Sequence, residues 1–247
     1  MLAAAATVAL AVALAWRGWA PTVSATAAPS SPRPASGPTV GESVELHVPH
    51  IHGSILLDGD LDDTGWAGPI ARTGAFVDRD GVEARPYSDA RIAWGDNHLY
   101  FALYAADEDV RTRWTDADSP VWLDDSFHLV FDDGESERIF DVSPTGTVAD
   151  AMRKRSPGGG AQALDFGWNS GIHVSHELDG TLNMPDDDDE EWAVELAIPF
   201  EALGISGRAG DRIGLALHRC DTPHHSGRVC ASWGEGATGT KGVLILD

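Results

Sequence analysis

Short runs of alternating apolar and polar residues recur along this chain from Val44 onward, and they limit what it can become. A two-residue period puts successive side chains on opposite faces of an extended strand, so each run offers one face for burial. "VELHV" (44–48) and "GSILLDG" (53–59) open the series, and "DARIAWGDNHLYFALYAAD" (89–107) holds two runs around the turn-forming Gly95-Asp96-Asn97. "SFHLVFDD" and "ERIFDVSPTG" form the next pair, followed by "GIHVSHELDG", "EWAVELAIPF", "DRIGLALHR" and the terminal "GVLILD". No long segment carries the 3.6-residue period of an amphipathic helix; "PFEALGI" (199–205) fits one or two turns at a strand end. The expected fold class is all-β: an antiparallel β-sandwich of jelly-roll or immunoglobulin-like kind, with at most short helical turns.

Within "EWAVELAIPF", Trp192, Val194, Leu196 and Ile198 share one face while Glu191 and Glu195 take the other, which assigns Trp192 to the core. Trp94, alternating with Ile92, is assigned there too, and Trp66 at the close of "LDGDLDDTGW" is expected to plug one end of the sandwich. The acidic run "PDDDDEE" (185–191) reads as a solvated turn, because contiguous acids repel one another and lack the glycine-centred spacing of a helix–loop–helix calcium site.

The beginning of the chain has a different character. "MLAAAATVALAVALAWRGWA" is almost wholly apolar through Trp16, and "TVSATAAPSS" follows with small residues at Ala25 and Ala27. Residues 1–27 are expected to be a signal peptide cleaved after Ala27, or an uncleaved anchor. Against the anchor, about 15 apolar residues fall short of the roughly 20 that span a bilayer. Residues 28–42, rich in Pro, Ser, Gly and Ala, read as a linker, leaving residues 43–247 for the sandwich. The expected location is extracytoplasmic: periplasmic, cell-surface or secreted. Cys220 and Cys230, the only cysteines, can close a short hairpin as a disulfide in that setting; a reduced, buried pair is the alternative. With 17 basic against 39 acidic side chains, a net charge of -22 repels phosphates, so nucleic acid is excluded as a partner.

The order of several segments resembles the family 9 carbohydrate-binding modules and their relatives, the sugar- and haem-binding DOMON-like β-sandwiches. They are "ILLDGDLDDTGWAGP" (55–69), "DARIAWGDNHLYFALYAADEDV" (89–110), "VWLDDSFHLVFDDG" (121–134), "FDVSPTGTVAD" (140–150), "EWAVELAIPFEALGI" (191–205), "GDRIGLALHRCD" (210–221) and "ASWG" (231–234). The resemblance implies a noncatalytic, extracytoplasmic domain that holds a polysaccharide or oligosaccharide, with two aromatic rings enclosing a sugar and polar strand residues gripping its hydroxyls. Trp122 stands where the first ring is expected and Trp233 where the second is. The chemistry suits the residue type, since the C–H faces of a pyranose are apolar and a flat indole covers them. The chain departs from the sugar-binding members at His128, where they carry glutamate, and in "RIFDVSP", which lacks their basic and amide pair.

Candidate ligand-binding residues are therefore Trp122, Trp233, Asp125, His128, Asp141 and Arg219. Two readings stand for several of them. Trp122 is a ligand contact or a half-buried tryptophan. Asp125 is a hydroxyl acceptor, a calcium ligand or a carboxylate capping backbone N–H groups. Arg219 forks toward sugar hydroxyls or pairs with a nearby acid. No cofactor is required by this reading, but relatives hold structural calcium, and Asp58, Asp60 and Asp62 have the i, i+2, i+4 spacing of hard oxygen ligands in a loop. The alternative for those three is a turn closed by side-chain-to-backbone hydrogen bonds.

Other chemistries are weaker. Histidines crowd "HVPHIH" (47–52) and "HRCDTPHHSGRVC" (218–230), but a disulfide removes both thiols from any zinc set. Haem would need axial ligands, and the internal methionines, Met152 and Met184, sit in loop contexts. Glycoside hydrolysis needs two spaced carboxyl groups with separated pKa values, whereas Asp124 and Asp125 are adjacent on an extended chain. A domain that assembles with a cell-envelope protein is the alternative to sugar binding.

Overall fold

A computed structural model describes residues 44–95, 97–156, 158, 160–235 and 240–247. The leader expected at 1–27, the linker at 28–42 and the boundary at residue 43 lie outside the described residues. Two sheets face each other. One runs β1 (Glu45–Val48), β12 (Gly242–Leu246), β10 (Arg212–Asp221), β5 (Ser126–Asp132), β6 (Ser136–Val142) and β7 (Val148–Lys154), with β11 (Val229–Trp233) also paired to β10. The other runs β2 (Ala71–Arg72), β3 (Ser88–Trp94), β4 (His98–Ala106), β9 (Glu191–Pro199) and β8 (His173–Asp179). Among the described residues, helical structure is confined to α1 (Thr64–Ala67), α2 (Phe200–Leu203) and a single 3-10 turn at Val121–Leu123. The class is the expected one, with one difference: β1 pairs with β12 in parallel, so the sandwich is mixed.

Alternation assigns the faces. Phe127, Leu129 and Phe131 of β5 and Ile213, Leu215 and Leu217 of β10 point inward against Leu99, Phe101 and Leu103 of β4 and Trp192, Val194 and Leu196 of β9. All twelve are essentially closed to solvent, which is the main stabilising contribution at roughly 1.5–3 kcal/mol for each large side chain. Trp94 joins this core as expected.

Residues 53–59 are not a strand, despite their alternation. Their N–H groups turn to side chains instead of a ladder: Leu56 N donates to Asp63 Oδ2 (2.5 Å), and Asp58 N and Gly59 N donate to Glu195 Oε2 (3.1 and 2.8 Å). Glu195 lies on the outer face of β9 as its alternation requires, yet it is fully buried, because this loop covers it. Trp66 also donates Nε1–H to Glu195 (2.7 Å) and packs on Ala93 and Ala102. It therefore covers the outer face of the five-stranded sheet and does not plug the end of the sandwich. Gly59, at φ 99°, passes so close to His176 that an added Cβ would lie 2.4 Å from its carbonyl.

Candidate functional site

Two sets of polar residues divide the seven-stranded sheet, one on each face. On the outer face, cross-strand register sets His218 of β10 beside His128 of β5, and His128 beside Asp141 of β6. One row over, Cys230 pairs with Cys220 and Cys220 with Ser126. These side chains form the floor of a pocket of about 580 Å3. Its walls are Trp122 from the 3-10 turn and Leu164 and Phe166 from the loop after β7, with Arg228 at its margin. Asp165, between the two loop residues, forms a bridge with Met152 that holds this loop to the edge of the sheet. Trp122 and Phe166 stack with ring centroids 6.1 Å apart and planes 28° from parallel. Cys220 and Cys230 are bonded across neighbouring strands.

The floor is oriented from beneath. His128 Nδ1 lies 2.7 Å from Asp141 Oδ1, so a neutral ring carrying its proton on Nδ1 donates to the carboxylate and leaves Nε2 as an acceptor. His218 Nε2 lies 3.5 Å from Glu235 Oε2. Burial lowers the His218 pKa, with the Glu235 charge opposing and His128 reinforcing that direction.

On the inner face, Arg219 and Asp221 continue the inward series of Leu215 and Leu217 to one end of the sandwich. There one carboxylate oxygen each from Asp107, Asp125 and Asp221 lies within 4.8 Å of the others. Arg219 donates to Asp107 (2.7 Å) and lies 3.4 Å from Asp221. Trp192 Nε1 also donates to Asp107, at 3.0 Å. Asp125 accepts from Arg111 N (2.5 Å) and Thr222 N (2.6 Å), and its neighbour Asp124 accepts from Arg113 N (2.9 Å). The adjacent acids thus clamp residues 111–113 against the start of β5. Burial, reinforced by the charge of Asp107, pushes the Asp125 pKa up to about 8; the two backbone donors and Arg219 oppose it. Burial likewise raises Asp221. Asp221 Oδ1 is buried with no hydrogen-bond partner, and the three carboxylates outnumber the one guanidinium among them. Hard oxygen donors in this arrangement can coordinate a divalent cation such as calcium.

The structure therefore brings Trp122, His128 and Asp141 together at one pocket and sends the other candidates elsewhere. Trp233 is in the core, its ring against Gly242, and does not face Trp122; β11 pairing puts it opposite Leu217 on the inward face. Arg219 and Asp125 are closed off behind the sheet by their own hydrogen bonds, with no path to the pocket. Asp58, Asp60 and Asp62 are exposed and do not converge; Asp58 Oδ1 accepts from Asp60 N, closing a turn. Of the "PDDDDEE" run, Asp189 is buried and accepts from Val110 N and Thr181 N. Sequence reasoning missed Phe166, Leu164 and Arg228, which lie in irregular segments. For Arg219 the structure favours the second of its two readings, pairing with nearby acids, and for Asp125 the capping of backbone N–H groups.

A second pocket, of about 610 Å3, lies among Thr115, Thr145, Thr147, Asp150, Asn169 and Ile172. It has no aromatic side chain in its lining, so the pocket at Trp122 is the better candidate for a ligand with an apolar face.

No family model matches the chain, and no curated protein matches it. Solved structures do. A Bacteroides uniformis protein provisionally assigned to carbohydrate binding shares 14% identity over 83% of this chain and 100% of its own, with a TM-score of 0.62. A family 9 carbohydrate-binding module from Caldicellulosiruptor kristjanssonii, solved with cellotriose, shares 15% over 82% of this chain and 93% of its own (TM-score 0.54). A family 9 module from the same organism, solved with glucose, shares 14% over 81% and 95% (TM-score 0.52). The fold is thus a β-sandwich like that of the carbohydrate-binding modules, at low identity.

Proposed function

We propose that this chain is a noncatalytic carbohydrate-binding domain, with its site on the outer face of the seven-stranded sheet. The observation that carries this reading is the pocket itself: an aromatic wall, Trp122 stacked with Phe166, stands over a polar floor of His128 and Asp141. That division matches a sugar, whose ring faces are apolar and whose edges carry hydroxyls. The similarity in fold to modules solved with cellotriose and glucose supports it. Trp122 supplies the stacking surface, Phe166 replaces Trp233 as its aromatic neighbour, and the polar floor with Arg228 meets the hydroxyls at the sugar's edge. Binding without turnover is favoured because Asp141 is the one carboxylate among the described lining residues, whereas glycoside hydrolysis uses two. Calcium at Asp107, Asp125 and Asp221 would serve structure, joining the end of β4 to β5 and β10. The expected extracytoplasmic placement belongs to the same reading, supported by the apolar character of residues 1–16 and the Cys220–Cys230 disulfide.

A glycan array followed by calorimetry tests the reading. A glycan that binds the wild type and binds W122A at least about tenfold more weakly, at matched foldedness, supports it. An array with no hits refutes it. The exposed apolar rim of Leu123, Leu164 and Phe166 favours contact with a cell-envelope protein as the second reading.

A further inference from the structure

The floor of the pocket carries a pattern that sugar contact does not require. From it we infer that His128 and His218 are ligands of a divalent transition-metal ion, zinc or its chemical equivalent, with Glu235 as the third ligand.

Three observations converge. First, the two histidines are direct cross-strand partners on β5 and β10, with ring centroids 5.6 Å apart and planes 53° apart. A zinc ion held about 2.0–2.1 Å from a nitrogen of each ring at a tetrahedral angle places the centroids roughly 5–6 Å apart. Second, His128 binds Asp141 through Nδ1 at 2.7 Å. A carboxylate on the far nitrogen fixes the tautomer, makes the ring more basic and leaves Nε2 to the metal, the outer-shell arrangement common at metal-bound histidines. Third, His218 Nε2 and Glu235 Oε2 stand 3.5 Å apart, long for a hydrogen bond. Two ligands of one tetrahedral zinc are separated by about 3.3–3.4 Å, the edge set by their bond lengths.

Accessibility agrees with this assignment. The side chains of His128, His218 and Glu235 are 35%, 24% and 46% exposed, so an ion can arrive from solvent. Among the described residues, the buried aspartates are the one group of three donors already within 4.8 Å of each other. His128, His218 and Glu235 do not meet that spacing as a trio, so the site would close by side-chain movement as the ion binds. The two sites differ in chemistry: imidazole nitrogens select zinc, copper or nickel, while an all-oxygen set suits calcium. Two histidines and a glutamate leave a fourth position for water or a ligand.

Tag-free, metal-free protein titrated with zinc, and in parallel with cobalt, tests the inference. We expect one ion taken up at the site, with the ring proton signals of His128 and His218 the first to shift or broaden in NMR spectra. H128Q and H218Q should each weaken binding at least about tenfold. E235Q should weaken it less, and H52Q should bind as wild type. The NMR readout needs no variant, so a misfolded mutant leaves the test intact. The inference is overturned if the signals of His128 and His218 stay still at one equivalent of metal while other histidines move. Wild-type affinity in both H128Q and H218Q overturns it as well.

Discussion

Trp122 and Phe166 reach the same pocket from segments more than forty residues apart, and their rings lie within 28° of parallel. Phe166 is 44% exposed, so F166A should change folding stability by no more than about 0.5 kcal/mol. Binding of an oligosaccharide found on the array should nonetheless fall in both F166A and W122A. Calorimetry at matched foldedness checks this, and unchanged affinity in both variants would remove the aromatic wall from the site.

Trp233 should behave in the opposite way. Its ring is packed in the core against Gly242, so W233A should cost about 3–5 kcal/mol in urea denaturation. The fraction that remains folded should bind the same oligosaccharide as tightly as wild type. Selective loss of binding at wild-type stability would return Trp233 to the pocket.

Asp221 Oδ1 is buried without a hydrogen-bond partner, within reach of two other carboxylates. An amide at this position removes one buried charge and supplies an N–H donor. D221N should therefore raise the stability of the metal-free protein by about 1 kcal/mol. It should also abolish stabilisation by calcium, which melting curves with and without calcium will show. An equal calcium-induced rise in Tm for D221N and wild type would place the ion elsewhere.

Asp125 couples this cluster to pH. Its folded-state pKa of about 8 stands above the roughly 3.9 of an unfolded aspartate, so the native state holds its proton more tightly. Its contribution is therefore fully present below about pH 4 and is lost as pH rises through about 8. In chelator, the denaturation free energy should fall between pH 5 and 8.5, more steeply in wild type than in D107N, where the charge that reinforces burial at Asp125 is gone. Saturating calcium favours the ionised carboxylates and should flatten the wild-type slope. Parallel slopes in the two proteins would separate Asp125 from Asp107.

Glu195 receives Trp66 Nε1–H and two backbone N–H groups under the 53–66 loop. E195A leaves all three donors facing a cavity, at a cost of about 3 kcal/mol or more. Global stability should drop, and the loop should become accessible to protease before the rest of the sandwich. Wild-type resistance in E195A would mean that the apolar contacts of Trp66 hold the loop without it.

The sheets were legible because alternation is a local signal, and Trp192, Phe127 and Leu217 need no knowledge of their partners to be assigned inward. Partners are what alternation omits. "GSILLDG" has the pattern of a strand, yet its N–H groups go to Glu195 and Asp63, residues no periodicity connects to it. Phe166 sits in "ALDFGWNS", which has no period at all, and the bridges from Met152 to Asp165 and from Arg155 to Ala161 carry it to Trp122. For Arg219, pairing with an acid was one of two readings, and its place after Leu215 and Leu217 on the inward face decides between them. A charged residue in that series had to find buried acids, and Asp107 and Asp221 are those acids.

The parallel pairing of β1 with β12, Glu45 beside Val243 through Val48 beside Leu246, bears on how the domain responds to force. A pull on the chain before Val44, resisted at Asp247, drags two parallel neighbours in opposite directions along their length. The bonds between parallel strands are evenly spaced, so all of them are strained together in shear and none can peel open first. Tension between Val44 and Asp247 therefore loads this seam in shear before it reaches β5.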